Sequence, residues 1–141
     1  MIVLPHPLFF DAIKDTEFEL KQYLNVTDKY DDILKDTRIL ITDYSSIAYD
    51  AFYRGCNVIF YWEEKDECMA NYGPTTKLML NEENVYGDIC MNPYQLSKAI
   101  DINYFHGQDE VYQKRYSKLV DFHDGKNTER LITLLRKDEI I

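Results

Sequence analysis

Two short stretches carry the groups best suited to chemistry. The first is Ile39-Leu-Ile-Thr-Asp-Tyr-Ser-Ser-Ile-Ala-Tyr-Asp50. An apolar run stops at Asp43, two hydroxyls follow at Ser45 and Ser46, and a helical pattern begins at Ile47. Hydroxyls and backbone N–H groups at a strand-to-helix turn suit a phosphate. They suit ordinary capping of the helix equally well, since Ser and Asp are favoured at helix starts for their own hydrogen bonds. The second stretch is His123-Asp-Gly-Lys-Asn-Thr-Glu-Arg-Leu131. There Asn127 and Thr128 offer polar groups to a second phosphate, with Lys126 beside them; an N-cap with Glu129 in the first turn is the competing reading.

His6 stands between Pro5 and Pro7 after a short apolar run. The two prolines hold this segment extended, so the imidazole is presented on a stiff loop. Such a group can contact phosphate or carry a proton, or simply face solvent. If the sheet is doubly wound, His6, Ser45–Ser46 and Asn127 would face one crevice, and a diphosphate-bearing ligand would fit that set. The glycine pattern of a Walker loop or a dinucleotide fingerprint is missing around Asp43.

The elements needed to position these groups can be read from periodicity. Met1–Leu4 reads as a strand leading to the His6 loop. Residues 15–24 read as one helical face, or as a helix leading into a strand near Val26. Thr27–Asp36 reads as a short helix capped by Thr27 or Asp28. The centre is a βαβ unit. "RILIT" is a buried-type strand, and "SSIAYDAFYRG" places Ile47, Ala48, Ala51 and Phe52 on one helical face ahead of Gly55. "NVIFYW" is a second strand of β-branched and aromatic residues. Glu63–Gly87 reads as a long irregular loop, with Tyr72-Gly73-Pro74 unassigned. "GDICM" is a short strand. Asn92, Pro93 and Gln95 then form a helix start. A further helix is expected from about Asp109 to Val120. A last one, "NTERLITLLRK", should turn Leu131, Ile132, Leu134 and Leu135 toward a core.

Bulk properties narrow the classes. The chain has 141 residues, consistent with one domain, and 45% hydrophobic with 29% charged residues reads as soluble and globular. Sixteen basic against 25 acidic residues give a net charge of −9, which argues against a general nucleic-acid surface. Three cysteines without close spacing read as reduced thiols of a cytoplasmic protein rather than a zinc site. We expect neither a membrane span nor a signal peptide.

Taken in order, three motifs resemble the C-terminal half of the CDP-glycerol glycerophosphotransferases, the teichoic acid polymerase and primase type. They are Pro5-His6-Pro7; "LITDYSS" with Tyr49-Asp50 and the strand end Ile59-Phe60-Tyr61; and Asp124-Gly125-Lys126 with Thr128 and Glu129-Arg130. The resemblance covers nearly the whole chain, and its middle motif is the specific one. It implies an α/β fold, a Rossmann-like three-layer doubly wound parallel sheet forming the donor half of a GT-B enzyme. Residues 1–141 would be a single nucleotide-donor-binding domain, with the N-terminal acceptor half absent. The implied reaction moves glycerol phosphate from CDP-glycerol, or a related CDP-polyol, to a hydroxyl of a polymer or lipid-linked acceptor and releases CMP. This chain alone should not turn over.

The resemblance assigns His6 to catalysis and Asp43, Ser45, Ser46, Lys126, Asn127 and Thr128 to the donor phosphates. Asp50, Asp124 and Arg130 would line the same pocket. It implies no metal and no cofactor beyond the CDP-activated substrate, no nucleic acid partner, and a cytoplasmic site, with the full-length enzyme at the inner face of the membrane. The family commonly has a basic residue two positions before the His, where Leu4 stands here. The same residues leave two other readings open: a nucleotide-sugar GT-B glycosyltransferase or epimerase, and a non-catalytic doubly wound binding or regulatory domain.

Overall fold

Alternating apolar runs and amphipathic stretches become a parallel sheet between helices in the computed structural model, which describes residues 1–6, 10–13, 19, 21–25, 29–73 and 77–141. The chain divides into two compact units, Met1–Asp36 and Thr37–Ile141.

The first unit is built of short elements. It contains α1 (Phe10–Ile13), a 3₁₀ turn at Lys21–Tyr23 and α2 (Tyr30–Lys35). The strand expected at Met1–Leu4 is reduced to one parallel bridge between Val3 and Leu24. Its bonds are Val3 N–H to the Tyr23 carbonyl at 2.8 Å and Asn25 N–H to the Val3 carbonyl at 2.9 Å. α2 starts after Lys29, which makes no side-chain cap; the expected caps Thr27 and Asp28 lie outside the described residues, as do half of the helix expected at 15–24 and the centre of the strand expected near Val26.

The second unit is the α/β body. Its elements are β1 (Ile39–Thr42), α3 (Ile47–Tyr53), β2 (Asn57–Tyr61), α4 (Lys65–Tyr72), β3 (Asp88–Cys90), α5 (Pro93–His106), α6 (Glu110–Tyr116) and α7 (Asn127–Lys137). The strands lie in the order β1-β2-β3, all parallel. Ile39 pairs with Asn57 and Thr42 with Phe60; Ile59 pairs with Asp88 and Tyr61 with Cys90. α3 packs on β1 and β2, and α5 packs across all three strands.

Side-chain alternation explains why both faces are covered. Ile59 and Cys90 face α5, with Ala99, Leu96 and Ile100 closing that layer and Ile39 and Tyr61 at its margin. Val58 and Phe60 are fully buried and belong to the opposite face. There Phe60 meets Tyr86 edge-on at 5.5 Å, Phe52 of α3 stacks on Tyr116 of α6 at 4.5 Å, and Tyr86 meets both Phe52 and Tyr116. The abundant tyrosines thus build much of this core. Helix, sheet and helix make the expected three layers.

Three local expectations require correction. The segment Glu63–Gly87 is not one long loop, because Lys65–Tyr72 forms α4. Its hydrophobic residues follow no helical stripe, so periodicity could not reveal it. The helix after Asn92 extends to His106, well beyond "YQLSKAI". The third concerns α7, which is amphipathic as read but buries no residue: Leu131 and Leu134 are more than half exposed. Its apolar stripe therefore does not face a core among the described residues.

Candidate functional site

β1 ends at Thr42 and the chain turns through Asp43–Ser46 into α3. The turn is closed by Asp43. One of its carboxylate oxygens accepts the Tyr44 N–H at 2.6 Å and the Ser45 N–H at 3.2 Å. Ser46 occupies the N-cap position but has helical dihedrals, φ −63° and ψ −16°, and its side chain makes no capping bond. The backbone carbonyls of Ser45 and Ser46 receive the Ala48 and Tyr49 N–H groups, while both serines remain exposed. The capping explanation for the paired hydroxyls therefore fails here. Asp43 shapes the loop, and the two serines are left exposed.

The neighbouring β2–α4 turn supports this loop. Trp62 follows the last residue of β2 and is 1% exposed. Its indole N–H donates to the Asp43 carbonyl at 3.0 Å, and its ring lies nearly parallel to Tyr44 with centroids 5.9 Å apart. The Lys65 ammonium stands 4.5 Å from the Trp62 ring centre and pairs with Glu82. The surroundings are acidic. Burial first, then Cys68, Asp43, Glu64 and Asp66, pushes the Tyr44 phenol up to about 12. A ligand anion at Ser45 and Ser46 would meet hydrogen-bond donors rather than a strong positive field from this loop.

The second group of expected residues forms its own cluster. The Asp124 carboxylate receives both terminal nitrogens of Arg130, at 2.8 and 2.5 Å, and the Lys126 N–H at 3.1 Å. Arg130 also donates to the Asn127 side-chain oxygen at 3.1 Å and lies 3.8 Å over the Phe122 ring. The Arg130 guanidinium holds the Asp124 carboxyl down at about 2. Asp124 and Arg130 thus neutralise one another and build the turn. Lys126, Asn127 and Thr128 are exposed on it. Asn127 is the first residue of α7 and not its cap; Lys126 takes the N-cap position without a side-chain bond.

This turn is fastened to α3. The Gly125 N–H donates to the Tyr53 hydroxyl at 3.3 Å, and His123 meets the rings of Tyr53 and Tyr116 edge-on at 4.7 and 4.9 Å. Ser45 and Ser46 precede the first residue of α3, and Tyr53 is its last. A seven-residue helix rises roughly 10 Å, so one short helix carries both groups at its two ends. Asp50 is exposed in its first turn. His6 is exposed in the first unit. Reading the sequence did not single out Trp62, Lys65 or Tyr53; an aromatic residue just past a strand's carboxyl end was the available signal for Trp62.

Among the described residues there is no group of three or more His, Cys, Asp or Glu side chains placed to hold a metal ion. None of the three cysteines forms a disulfide, and burial pushes the Cys56 and Cys90 thiols up. No described helix is long and apolar enough to cross a membrane.

The family model described as CDP-Glycerol:Poly(glycerophosphate) glycerophosphotransferase matches residues 1–137. The chain belongs to this family. The match runs through His6, the Asp43–Ser46 loop and the Asp124–Arg130 turn together. Among curated proteins the chain is similar to the minor teichoic acid biosynthesis protein GgaB of Bacillus subtilis (strain 168), at 28% identity over 134 residues. That alignment covers 90% of this chain and 14% of GgaB. The chain thus spans about one seventh of the length of that relative.

Proposed function

We propose that this chain forms the donor-binding part of a CDP-glycerol glycerophosphotransferase. The observation that carries the reading is the family match together with two exposed serine hydroxyls, at the carboxyl edge of a parallel sheet, that do no capping. The donor would be CDP-glycerol or a related CDP-polyol. Ser45 and Ser46 would hydrogen-bond its phosphates, and Lys126, Asn127 and Thr128 would supply a cation and further polar groups. His6 would contact the pyrophosphate or assist proton transfer. Glycerol phosphate would pass to a hydroxyl of a polymer or lipid-linked acceptor held by a further half of a GT-B arrangement, with CMP leaving. The working place would be the cytoplasm, at the inner face of the membrane in a longer enzyme.

Phosphoryl transfer asks mainly for positioning and charge stabilisation. Asp43 and the Asp124–Arg130 pair fit that demand as builders of two stiff presentations. Their own charges are committed to the backbone or to each other. The net positive charge for a diphosphate would then have to come from Lys126 and from residues outside these two loops.

The test is calorimetric titration of the chain with CDP-glycerol, CMP and UDP-glucose. Binding of the cytidine ligands, lost in Ser45→Ala/Ser46→Ala and weakened in Lys126→Ala and His6→Ala, is the expected result. Preference for UDP-glucose, or cytidine binding that the serine variant leaves untouched, would overturn the reading.

A further inference from the structure

We propose that Trp62 is the positioning residue for the Asp43–Ser46 loop, and so for the donor-phosphate contacts; the second clause rests on the function proposed above. The loop's Asp43 carboxylate bonds are internal, and the carbonyls of Ser45 and Ser46 serve α3. Trp62 ties the loop to the neighbouring strand. Its backbone N–H donates to the Cys90 carbonyl at 2.8 Å, which locks it to β3, while its indole N–H holds the Asp43 carbonyl. The near-parallel Tyr44 ring and the Lys65 ammonium complete its setting. A buried indole with a fixed backbone is a stiff strut. Exposed hydroxyls that must meet phosphate oxygens need such support, because small displacements sharply weaken positioned contacts.

Chemistry separates this role from simple packing. Trp62→Phe keeps a buried aromatic ring and removes the one N–H that grips Asp43. Tyr44→Leu keeps the N–H and removes the ring beside it. Trp62 is the only tryptophan in the chain, so in the unmodified protein its emission reports this loop alone.

The experiment has a ligand-free arm and a ligand arm, both on the full 141-residue chain. In the first, amide hydrogen exchange is followed without ligand. Trp62→Phe should speed exchange in the peptide covering Tyr44–Ile47 at least tenfold while leaving the β2 and α5 peptides unchanged. Unchanged exchange at the loop would overturn the positioning role, whatever the chain binds. If Trp62→Phe fails to fold, the indole N–H of the unmodified chain is followed by NMR instead, and exchange as fast as that of free tryptophan would overturn the role. In the second arm, CMP is titrated by calorimetry and by tryptophan emission. Trp62→Phe should weaken CMP about fivefold to tenfold, the size of one lost hydrogen bond, and CMP should shift the emission of the unmodified chain but not of Ser45→Ala/Ser46→Ala. Faster loop exchange with unaltered CMP affinity would overturn the link to the donor. Faster loop exchange in a chain that binds no cytidine ligand would overturn the donor-binding reading and leave the structural role standing.

Discussion

The carboxylate of Asp43 accepts the Ser45 N–H at 3.2 Å, and the same oxygen accepts the Tyr44 N–H. The turn before α3 is therefore closed from its first residue, and its two serine hydroxyls are not spent on the helix. Removing a true N-cap serine costs about 1 kcal/mol. Ser45→Ala/Ser46→Ala should instead change unfolding free energy by less than about 0.5 kcal/mol, the range for surface substitutions. Urea denaturation checks this; a loss of 1 kcal/mol or more would restore the capping explanation.

Asn92 is the contrasting case. Its side-chain oxygen accepts the Gln95 N–H at 2.9 Å, and Gln95 reaches back to the Met91 N–H at 2.7 Å. Asn92→Ala should cost about 1 kcal/mol and lower the melting temperature by about 4 °C. A scan of the two proteins side by side measures the difference.

Gly87 packs against the backbone of β2. A Cβ there would stand 2.9 Å from the Val58 carbonyl carbon and nearer still to its oxygen, and 3.2 Å from the Phe60 ring. Backbone cannot yield as a side-chain tip can, so Gly87→Ala should destabilise by about 2–4 kcal/mol through forced separation of β2 and the chain entering β3. Chemical denaturation with an unchanged m-value is the expected observation.

Asp124 makes stability depend on acid. Its carboxyl is held at about 2 by Arg130, below its ordinary value. A carboxyl depressed in the folded state adds stability that is complete above its unfolded pKa near 4 and is lost as pH falls through the folded value near 2. The advantage of the unmodified chain over Asp124→Asn should thus be constant from pH 7 to about 5 and shrink toward pH 2. Unfolding midpoints across that window test the sign; an advantage that grew on acidification would contradict it.

The two faces of the aromatic core and α7 should respond oppositely to truncation. Phe52 is 3% exposed between Tyr86 and Tyr116, so Phe52→Ala should cost about 3–5 kcal/mol. Leu131→Ser and Leu134→Ser, at exposed positions of α7, should each stay within about 0.5 kcal/mol. Equilibrium unfolding of the three variants ranks them directly.

Local signals determined a good part of this protein. β1, α3 and β2 were legible because a continuous apolar run, a 3.6-residue stripe ending before Gly55, and a β-branched run are each complete within a few residues. The start of α5 was legible for the same reason, since Asn92, Pro93 and Gln95 form a cap whose bonds span three residues. The three motifs in order sufficed to place the family. Tertiary structure decided what those residues do with their polar groups. Whether Ser46 caps depends on Asp43 having already closed the turn, and whether Arg130 is available to a ligand depends on its pairing with Asp124. α4 lacks a stripe to read, and the stripe of α7 predicts burial without supplying a surface to bury against. Trp62 meets Asp43 across 19 residues, and Tyr53 meets Gly125 across 72. Periodicity describes one element at a time, whereas these contacts form only when separate strands and helices are packed together.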